Sequence, residues 1–411
     1  MTNINTIFIS CFVGFLSAIG ILLILLPKEE ISAQENKKLA YFPKFSTHSL
    51  ASGAYMDSID AYVTDHFPMR HSFLKMADFF TGLGTSEEKI YQNAKSTDPI
   101  EIEQENTITA KDSIFGNQEQ ANNSKGLLVS GGQGIQIFTN EKPRTELLAK
   151  TLLRYKKEMD TDTRFFCVIT PTSGAYFMPT KYQEFLGKEQ ENLLDLQQKL
   201  ESQIAFVPVF EVLKAHQNEY IFFRTDHHWT GLGAYYAYRA FCQTAGLNPI
   251  NLSEMTKKYV EGKFLGTHYL KTRDKSLENN ADTVFYWEIK GEHQATQTKD
   301  GVTSPASVVQ LEDIGNNLYL VFLGGDLPFM HLRSGLVQNG KKVLVVKNSY
   351  GNSFISYLLA NYEQIWVVDY RHFKGNITQI AKQNKIDDFI FISGVFAANE
   401  PNHIKKIEKI K

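Results

Sequence analysis

The sequence predicts an α/β protein in which a largely parallel sheet is flanked by helices, behind one N-terminal transmembrane helix. Three observations carry that expectation. An uncharged apolar run, "IFISCFVGFLSAIGILLILL", fills residues 7 to 26. A buried-strand pattern, "RFFCVITP" (164–171), is followed by an amphipathic helix pattern, "NLLDLQQKLESQ". Near the C-terminus, "KKVLVVKNS", "GNSFISYLLANY", "QIWVVDY", "ITQIAKQNK" and "DDFIFIS" read β-α-β-α-β, the pattern of a parallel sheet covered by helices.

The chain has 411 residues, 43% hydrophobic and 12% aromatic, the composition of a globular protein able to bury a sizeable core. Its formal net charge of -2 gives no electrostatic affinity for nucleic acid. The run at 7–26 matches the roughly 20 residues that cross a bilayer as a helix. A signal peptide's apolar region is shorter, about 7–15 residues, and no small-x-small cleavage site follows, so an uncleaved signal anchor is expected. "MTNIN" carries no Lys or Arg while Lys28, Lys37 and Lys38 follow the span, a bias against export of the main domain. That rule weakens for long translocated domains, and an extracytoplasmic soluble part at the cell membrane is the expectation.

Three regions are expected: the anchor (1–30), a polar and amphipathic approach with a variable insert (31–124), and the α/β domain (125–411) with an insert at about 251–320. In the approach, "SLASGAYMDSIDAYVTDHFPMRHSFLKMADFF" has helical spacing interrupted by Pro68, and about 86–124 reads as a polar loop. "GLLVSGGQGIQIF" reads as a hairpin around glycines, and "IAFVPVF" and "EYIFFRT" as strands. "GAYYAYRAFCQTAG" reads as a helix ending at Gly246. Cys167 and Cys242 are expected as buried apolar thiols, a disulfide between them being the alternative.

"TDHHWT" concentrates the chemistry. On an extended segment Asp226 and His228 project to one face and His227 to the other, which suits a carboxylate and an imidazole converging on one site. It does not suit two adjacent histidines on one metal. Thr230 is placed to cap the helix beginning at Gly231. The plain alternative is that Asp226 and Thr230 are caps and the histidines fill space. In "VLVVKNSYGNSF" a strand delivers Ser349 to a sharp turn at Gly351, with a helix following. There a serine hydroxyl sits near a helix N-terminus, with backbone N–H groups free to bind an oxyanion. The G-x-S-x-G pattern of a nucleophile elbow is absent. A serine needs a base and the base an orienting partner, tasks for which His228 and Asp226 are candidates. The plain reading of Ser349 is a turn or cap serine; Ser353 reads as a packing residue.

The segments "RTDHHWTGLGAYYAY", "VLVVKNSYGNSF", "VVDYRHF", "ENKKLAYFPKF" and "DHFPMR" resemble the DHHW protein family, itself related to the SGNH-hydrolase-like proteins that O-acetylate alginate. These pieces cover most of the external chain, leaving about 86–124 and 275–310 as variable inserts. The resemblance implies an SGNH-like fold with Asp and His preceding Ser, and a triad of Asp226, His228 and Ser349. It implies acetyl transfer to, or removal from, an exported polysaccharide, with a membrane-bound O-acyltransferase as upstream partner. Separately, no metal or other cofactor is expected. Asn348 departs from the acidic residue common before such a serine. Arg371, Trp229 and Tyr350 are candidate substrate contacts. Arg371 has pairing with Asp369, and Trp229 a core position, as the plain readings. Arg224 reads as an ion-pair partner, His227 as structural, and Gly324 and Gly325 as a turn.

Three functions compete. Acyl transfer through an acyl-serine uses all three triad candidates, with sugar or water as acceptor. A DHH-type phosphoesterase needs acidic metal ligands at strand ends, whereas Asp160 and Asp162 precede their strand. A glycan-binding module could keep the fold and its many aromatics without turnover.

Overall fold

A computed structural model describes residues 2–28, 31–32, 37–70, 89–91, 124–138, 144–185, 188–200 and 203–410. They fall into two compact units: residues up to 70 in one, 89–91 with 124–410 in the other. In the first, a helix runs Thr2–Leu25 over the apolar run. Several of its side chains fall outside the described set, and among the described residues no helix is long and apolar enough to cross a membrane. Two short strands follow, β1 (Ile31–Ser32) and β2 (Lys37–Lys38), paired antiparallel. Helices Thr47–Ala51 and Ala54–Asp65 are separated at Gly53, whose φ of 83° is the left-handed conformation glycine favours. The Ala40 N–H donates to Asp65 Oδ2 at 2.9 Å, tying the approach segment to the second helix. The rest of that segment, 71–88, and most of the polar loop, 92–123, lie outside the described residues.

The second unit is built on one eight-stranded sheet. Its strands in chain order are β6 (Arg164–Thr170), β7 (Ala205–Phe206), β10 (Gln294–Lys299), β11 (Val302–Pro305), β12 (Phe329–Arg333), β13 (Lys342–Lys347), β14 (Gln364–Asp369) and β15 (Asp388–Gly394). Smaller strands complete the set: β3 (Lys89–Tyr91), β4 (Ser124–Ser130) and β5 (Gln133–Phe138), and the pair β8 (Thr256–Tyr259) and β9 (Phe285–Glu288). The large sheet has the order β11-β10-β12-β14-β13-β15-β6-β7. From β14 to β7 every pairing is parallel; from β14 through β12 and β10 to β11 every pairing is antiparallel.

The sheet is therefore mixed, and the expected parallel core carries an antiparallel extension, β12 with the two outer strands β10 and β11 that the polar insert supplies. The reason it escaped prediction is physical. "QATQTK" and "VTSP" make partly exposed edge strands without an apolar run, unlike the central "VLVV" of β13, where every residue is buried on both sheet faces. Alternate residues of β13 face opposite cores. Val343 and Val345 pack with the helix Gly231–Ala245, while Leu344 and Val346 pack with helices Glu146–Glu158, Ile377–Asn384 and Pro401–Lys409. The result is an α/β fold with a large mixed sheet flanked by helices.

Of the expected strands, one forms only in part and one does not form. "IAFVPVF" yields only β7, because Pro208 cannot donate to a ladder and a helix, Val209–Ala215, begins at once. "EYIFFRT" is a bent loop with a single bridge between Phe222 and Trp229; its Ile221, Phe222 and Phe223 are buried as core filler. The glycine hairpin forms as β4–β5, with Gly131 and Gly132 at φ of 59° and 74°. Thr230 caps the helix Gly231–Ala245 by accepting from Gly233 N–H, and Gly246 closes it at φ 66°. Cys167 and Cys242 are both free and buried.

At the end of the sheet opposite the serine turn, Asp388 is buried and receives two charge-assisted bonds of 2.7 Å from Arg164, whose own side chain is 49% exposed. Replacing Arg164 with Met should lower unfolding free energy by about 1–2 kcal/mol in denaturant titration. That is below the roughly 3–5 kcal/mol of a fully buried pair because water reaches the guanidinium. A change within about 0.3 kcal/mol would contradict this role.

Candidate active site

β13 ends at Lys347, and the chain turns through Asn348, Ser349 and Tyr350 into the helix Gly351–Ile355. β13 lies between β14 and β15, so the turn sits at the carboxyl edge of a central parallel strand, where open α/β sheets place ligands. Gly351 is required by closeness: a Cβ there would stand 2.7 Å from Lys347 Cβ. The turn is self-braced. Tyr350 N–H donates to Asn348 Oδ1 at 3.2 Å, Gly351 N–H to the Asn348 carbonyl at 3.0 Å, and Asn352 N–H to the Ser349 carbonyl at 3.1 Å. Of the turn's N–H groups expected to be free for an oxyanion, those of Tyr350, Gly351 and Asn352 are instead engaged in holding the turn.

The loop 224–229 brings the other two residues. His228 Nδ1 lies 2.6 Å from Asp226 Oδ1, and His228 Nε2 lies 2.8 Å from Ser349 Oγ. A carboxylate only accepts, so the proton sits on Nδ1, leaving the Nε2 lone pair for the serine O–H. Exposures are 2% for Asp226, 4% for His228 and 2% for Ser349, so the chain of bonds is shielded from water. The segment is bent, not extended, and His227 still lies beside His228, ring centroids 3.8 Å apart, with its Nδ1 2.7 Å from Thr267 Oγ1.

Two reciprocal bonds pin this loop to the serine turn. Trp229 Nε1–H donates to the Tyr350 carbonyl at 3.0 Å, and the Tyr350 hydroxyl donates to the His227 carbonyl at 2.9 Å. Both side chains are buried, at 0% and 2% exposure, and committed to these bonds. Trp229 and Tyr350 are thus corrected from substrate contacts to inter-loop braces. Arg371 is corrected likewise. Its guanidinium meets Asp369 at 2.7 Å and Asp326 at 2.9 Å, and Lys347 Nζ meets the same carboxylates at 2.8 and 3.4 Å. Two cations and two anions thereby neutralise one another beside the turn, and Asn352 Nδ2 adds a bond to Asp326 at 3.1 Å. Asp326 reaches this position from a loop in which Leu323, Gly324 and Gly325 all have positive φ, of 60°, 71° and 98°.

The insert supplies groups that no sequence signal singled out. Thr267 N–H donates to Asp226 Oδ2 at 2.8 Å. Asp282 accepts from Arg224 N–H at 2.8 Å, Thr225 N–H at 2.7 Å, Thr225 Oγ1–H at 2.6 Å and the Tyr220 hydroxyl, gathering the start of the loop on one carboxylate. Arg224 is the ion-pair partner expected, with Nη1 3.9 Å from Asp282. Tyr319 lies against His228. A charged residue closing an apolar strand, Lys347 after "VLVV", was the one legible cue; Thr267, Asp282 and Tyr319 lie in polar or mixed sequence without a motif.

Burial works against the Asp226 carboxylate, but the flanking His227 and His228 imidazoles, the His228 bond and the Thr267 N–H outweigh it and hold it well below the usual carboxylate range. Burial pushes His227 well below the usual imidazole range, so it is neutral near pH 7, and its share in stabilising Asp226 is confined to acid solution. Burial pushes Tyr319 well above the usual phenol range, keeping it a hydrogen-bond donor. Asp226, His227 and His228 present ligand-type atoms within 4.8 Å of one another. Both His228 nitrogens and His227 Nδ1 are directed at Asp226, Ser349 and Thr267, so these ring nitrogens already have hydrogen-bond partners within the protein. Of two surface clefts, one of about 470 Å³ is lined by Trp287, Ile289, His293 and Ser356, and one of about 420 Å³ by His216, Tyr236 and Arg239; neither is lined by Asp226, His228 or Ser349.

The model of the DHHW protein family matches residues 35–111 and 179–368. No curated protein sequence matches the chain. A crystal structure of a DHHW family protein from Eubacterium siraeum is 28% identical, with a TM-score of 0.62, covering 70% of this chain and 95% of that one. Bacillus cereus PatB1, in a structure with a sulfonyl adduct, is 17% identical, with a TM-score of 0.55, covering 68% of this chain and 97% of that one. The O-acetyltransferase domain of Pseudomonas putida AlgJ matches at 12% identity and a TM-score of 0.35, over 65% of this chain and 89% of that one, too remote to carry weight.

A Cβ added at Gly266 would lie 2.3 Å from Asp226 Cβ and 2.5 Å from its Oδ2. Gly266→Ala should therefore displace the carboxylate and lower stability by about 1–3 kcal/mol in denaturant unfolding; an unchanged midpoint would show the contact to be soft. A second expectation concerns pH. Burial pushes the His268 imidazole down to about 4, with the Asp226 carboxylate and Arg224 carbonyl pulling the other way without prevailing. The unfolded chain takes up that proton below about 6.5 and the folded chain does not, so stability falls as pH drops from about 6.5 toward 4. Thermal melts across that window should show the decline, and His268→Phe should flatten it; parallel declines in both proteins would contradict the assignment.

Proposed function

The chain belongs to the DHHW protein family, and on that premise we propose that it is an extracytoplasmic, serine-dependent acyltransferase or esterase acting on an exported polysaccharide. The observation that carries the reading is the continuous chain Asp226–His228–Ser349, with bonds of 2.6 and 2.8 Å. In it, His228 Nε2 takes the Ser349 proton as Oγ attacks an acyl carbonyl. Asp226 keeps the imidazole in the tautomer that can do so and stabilises the imidazolium formed. Collapse of the tetrahedral intermediate expels the donor's oxygen, which takes the proton back from His228, and leaves an ester on Ser349. A sugar hydroxyl or water then attacks that ester by the same proton route in reverse. The first gives transfer, the second hydrolysis.

The acetyl group and the polysaccharide acceptor come from the DHHW and alginate-type resemblance, with a membrane-bound O-acyltransferase as the donor's source. Membrane anchoring is proposed on the uncharged apolar run of residues 7–26. A helix of that length rises roughly 30 Å, the thickness of a hydrocarbon core. The alternative, a glycan-binding module without turnover, is favoured by one observation: at 2% exposure Ser349 offers little surface to a substrate.

Purified full-length protein in detergent should hydrolyse a chromogenic acetate ester, and Ser349→Ala should lose about a thousand-fold or more of that activity. Intact-mass measurement during turnover should show an added acetyl group that Ser349→Ala abolishes. Glycan binding with no esterase activity in the wild type would instead establish the binding module.

A further inference from the structure

Tyr319 touches both the His228 ring and the Ser349 backbone, and no sequence motif or family resemblance assigns it a role. It sits in the short helical turn Leu318–Val321, within the region read from sequence as an insert. Its ring lies flat on the His228 imidazole, centroids 4.0 Å apart and planes at 10°. Its hydroxyl donates to the Ser349 carbonyl at 2.9 Å, with Ser353 Oγ 3.5 Å away. The ring is itself clamped edge-on by Phe322 at 5.2 Å and Phe223 at 6.2 Å, and the residue is 5% exposed.

We propose that Tyr319 is a positioning residue for the acyl-transfer reaction: its π-face fixes the plane of His228 and stabilises that ring once it is protonated, while its hydroxyl sets the height of the Ser349 turn. The inference rests on the serine-dependent reading above. Its physical basis is that a stacked aromatic attracts a cation through its quadrupole far more than a neutral ring. The imidazole is neutral before Ser349 gives up its proton and cationic afterwards, so the contact strengthens as the reaction proceeds, which is the condition for accelerating it. The Asp226 carboxylate acts on the imidazole edge and Tyr319 on its face. The two contributions are geometrically separate, and each can be removed alone.

The test measures the pH dependence of acetate-ester hydrolysis by the full chain for wild type, Tyr319→Phe and Tyr319→Leu. Tyr319→Phe keeps the π-face and loses the hydroxyl; kcat/KM should fall about 2- to 5-fold with the acid limb of the profile in place. Tyr319→Leu loses the π-face; kcat should fall roughly 5- to 30-fold, and the acid limb should move to lower pH because the imidazolium is less stabilised. A structural lesion alone would reduce the amplitude and leave the limb where it was. An acid limb that stays put or moves upward in Tyr319→Leu overturns the proposal. Should Tyr319→Leu fail to fold, Tyr319→Phe decides: a shifted limb with the ring retained would contradict the assignment of that effect to the π-face. A wild type that neither hydrolyses the ester nor becomes acylated at Ser349 overturns the serine-dependent reading itself, and Tyr319 with it.

Discussion

The structure depends on keeping one carboxylate charged where water cannot reach it. Asp226 is 2% exposed, and a lone carboxylate there would take up a proton sooner than remain ionised. It stays ionised because donors are fixed around it before any substrate arrives: the Thr267 N–H on one oxygen, and the His228 backbone N–H and imidazole on the other. Each donor needs its own support. Thr267 can come close only because Gly266 has no side chain. The bend that lets His228 reach back over Asp226 is held by Asp282, which collects the N–H groups of Arg224 and Thr225. One acid thus orders the loop so that another can act within it.

The serine is positioned by a different device. Lys347 and Arg371 would each be costly to bury alone; with Asp326 and Asp369 they form a neutral cluster whose hydrogen-bonding directions are fixed. Such clusters add little net stability, but they restrict geometry, and this one ties the end of β13, the start of the next connection after β14, and the 323–326 loop to one point. The bonds Trp229 to Tyr350 and Tyr350 to His227 then lock the histidine loop to the serine turn. The two halves of the site, far apart in the chain, are held by packing and reciprocal bonds within a rigid sheet edge, the arrangement that preorganised chemistry requires.

The sequence carried the parallel half of the sheet, because its strands are apolar on both faces and separated by helices with clear periodicity. It also singled out Asp226, His228 and Ser349, a carboxylate, an imidazole and a hydroxyl at loop edges, which the fold brings within hydrogen-bond distance of one another. What it did not carry has a common cause. β10 and β11 are polar outer strands whose identity comes from pairing, β10 with β12 and β11 with β10, which no local pattern encodes. Trp229, Tyr350 and Arg371 looked like substrate contacts because an aromatic or an arginine beside a catalytic motif suits either role. Whether such a side chain points outward or bridges two segments is decided by partners distant in the chain, more than a hundred residues away for Trp229 and Tyr350 and at Asp326 for Arg371. Asp282 and Tyr319 lie in a stretch with no motif at all, and only the fold shows the one holding Arg224 and Thr225 and the other against His228.

On the proposed reading, Ser349 is activated by His228 in this preorganised, shielded arrangement. A crystal structure of the full-length protein after exposure to a serine-directed sulfonyl fluoride tests it most directly. The account predicts a sulfonyl group bonded to Ser349 Oγ, with His228 Nε2 still within hydrogen-bond distance of that oxygen and Asp226 still on Nδ1. A sulfonyl group on another residue, or an unmodified Ser349 with His228 turned away from it, would contradict the account.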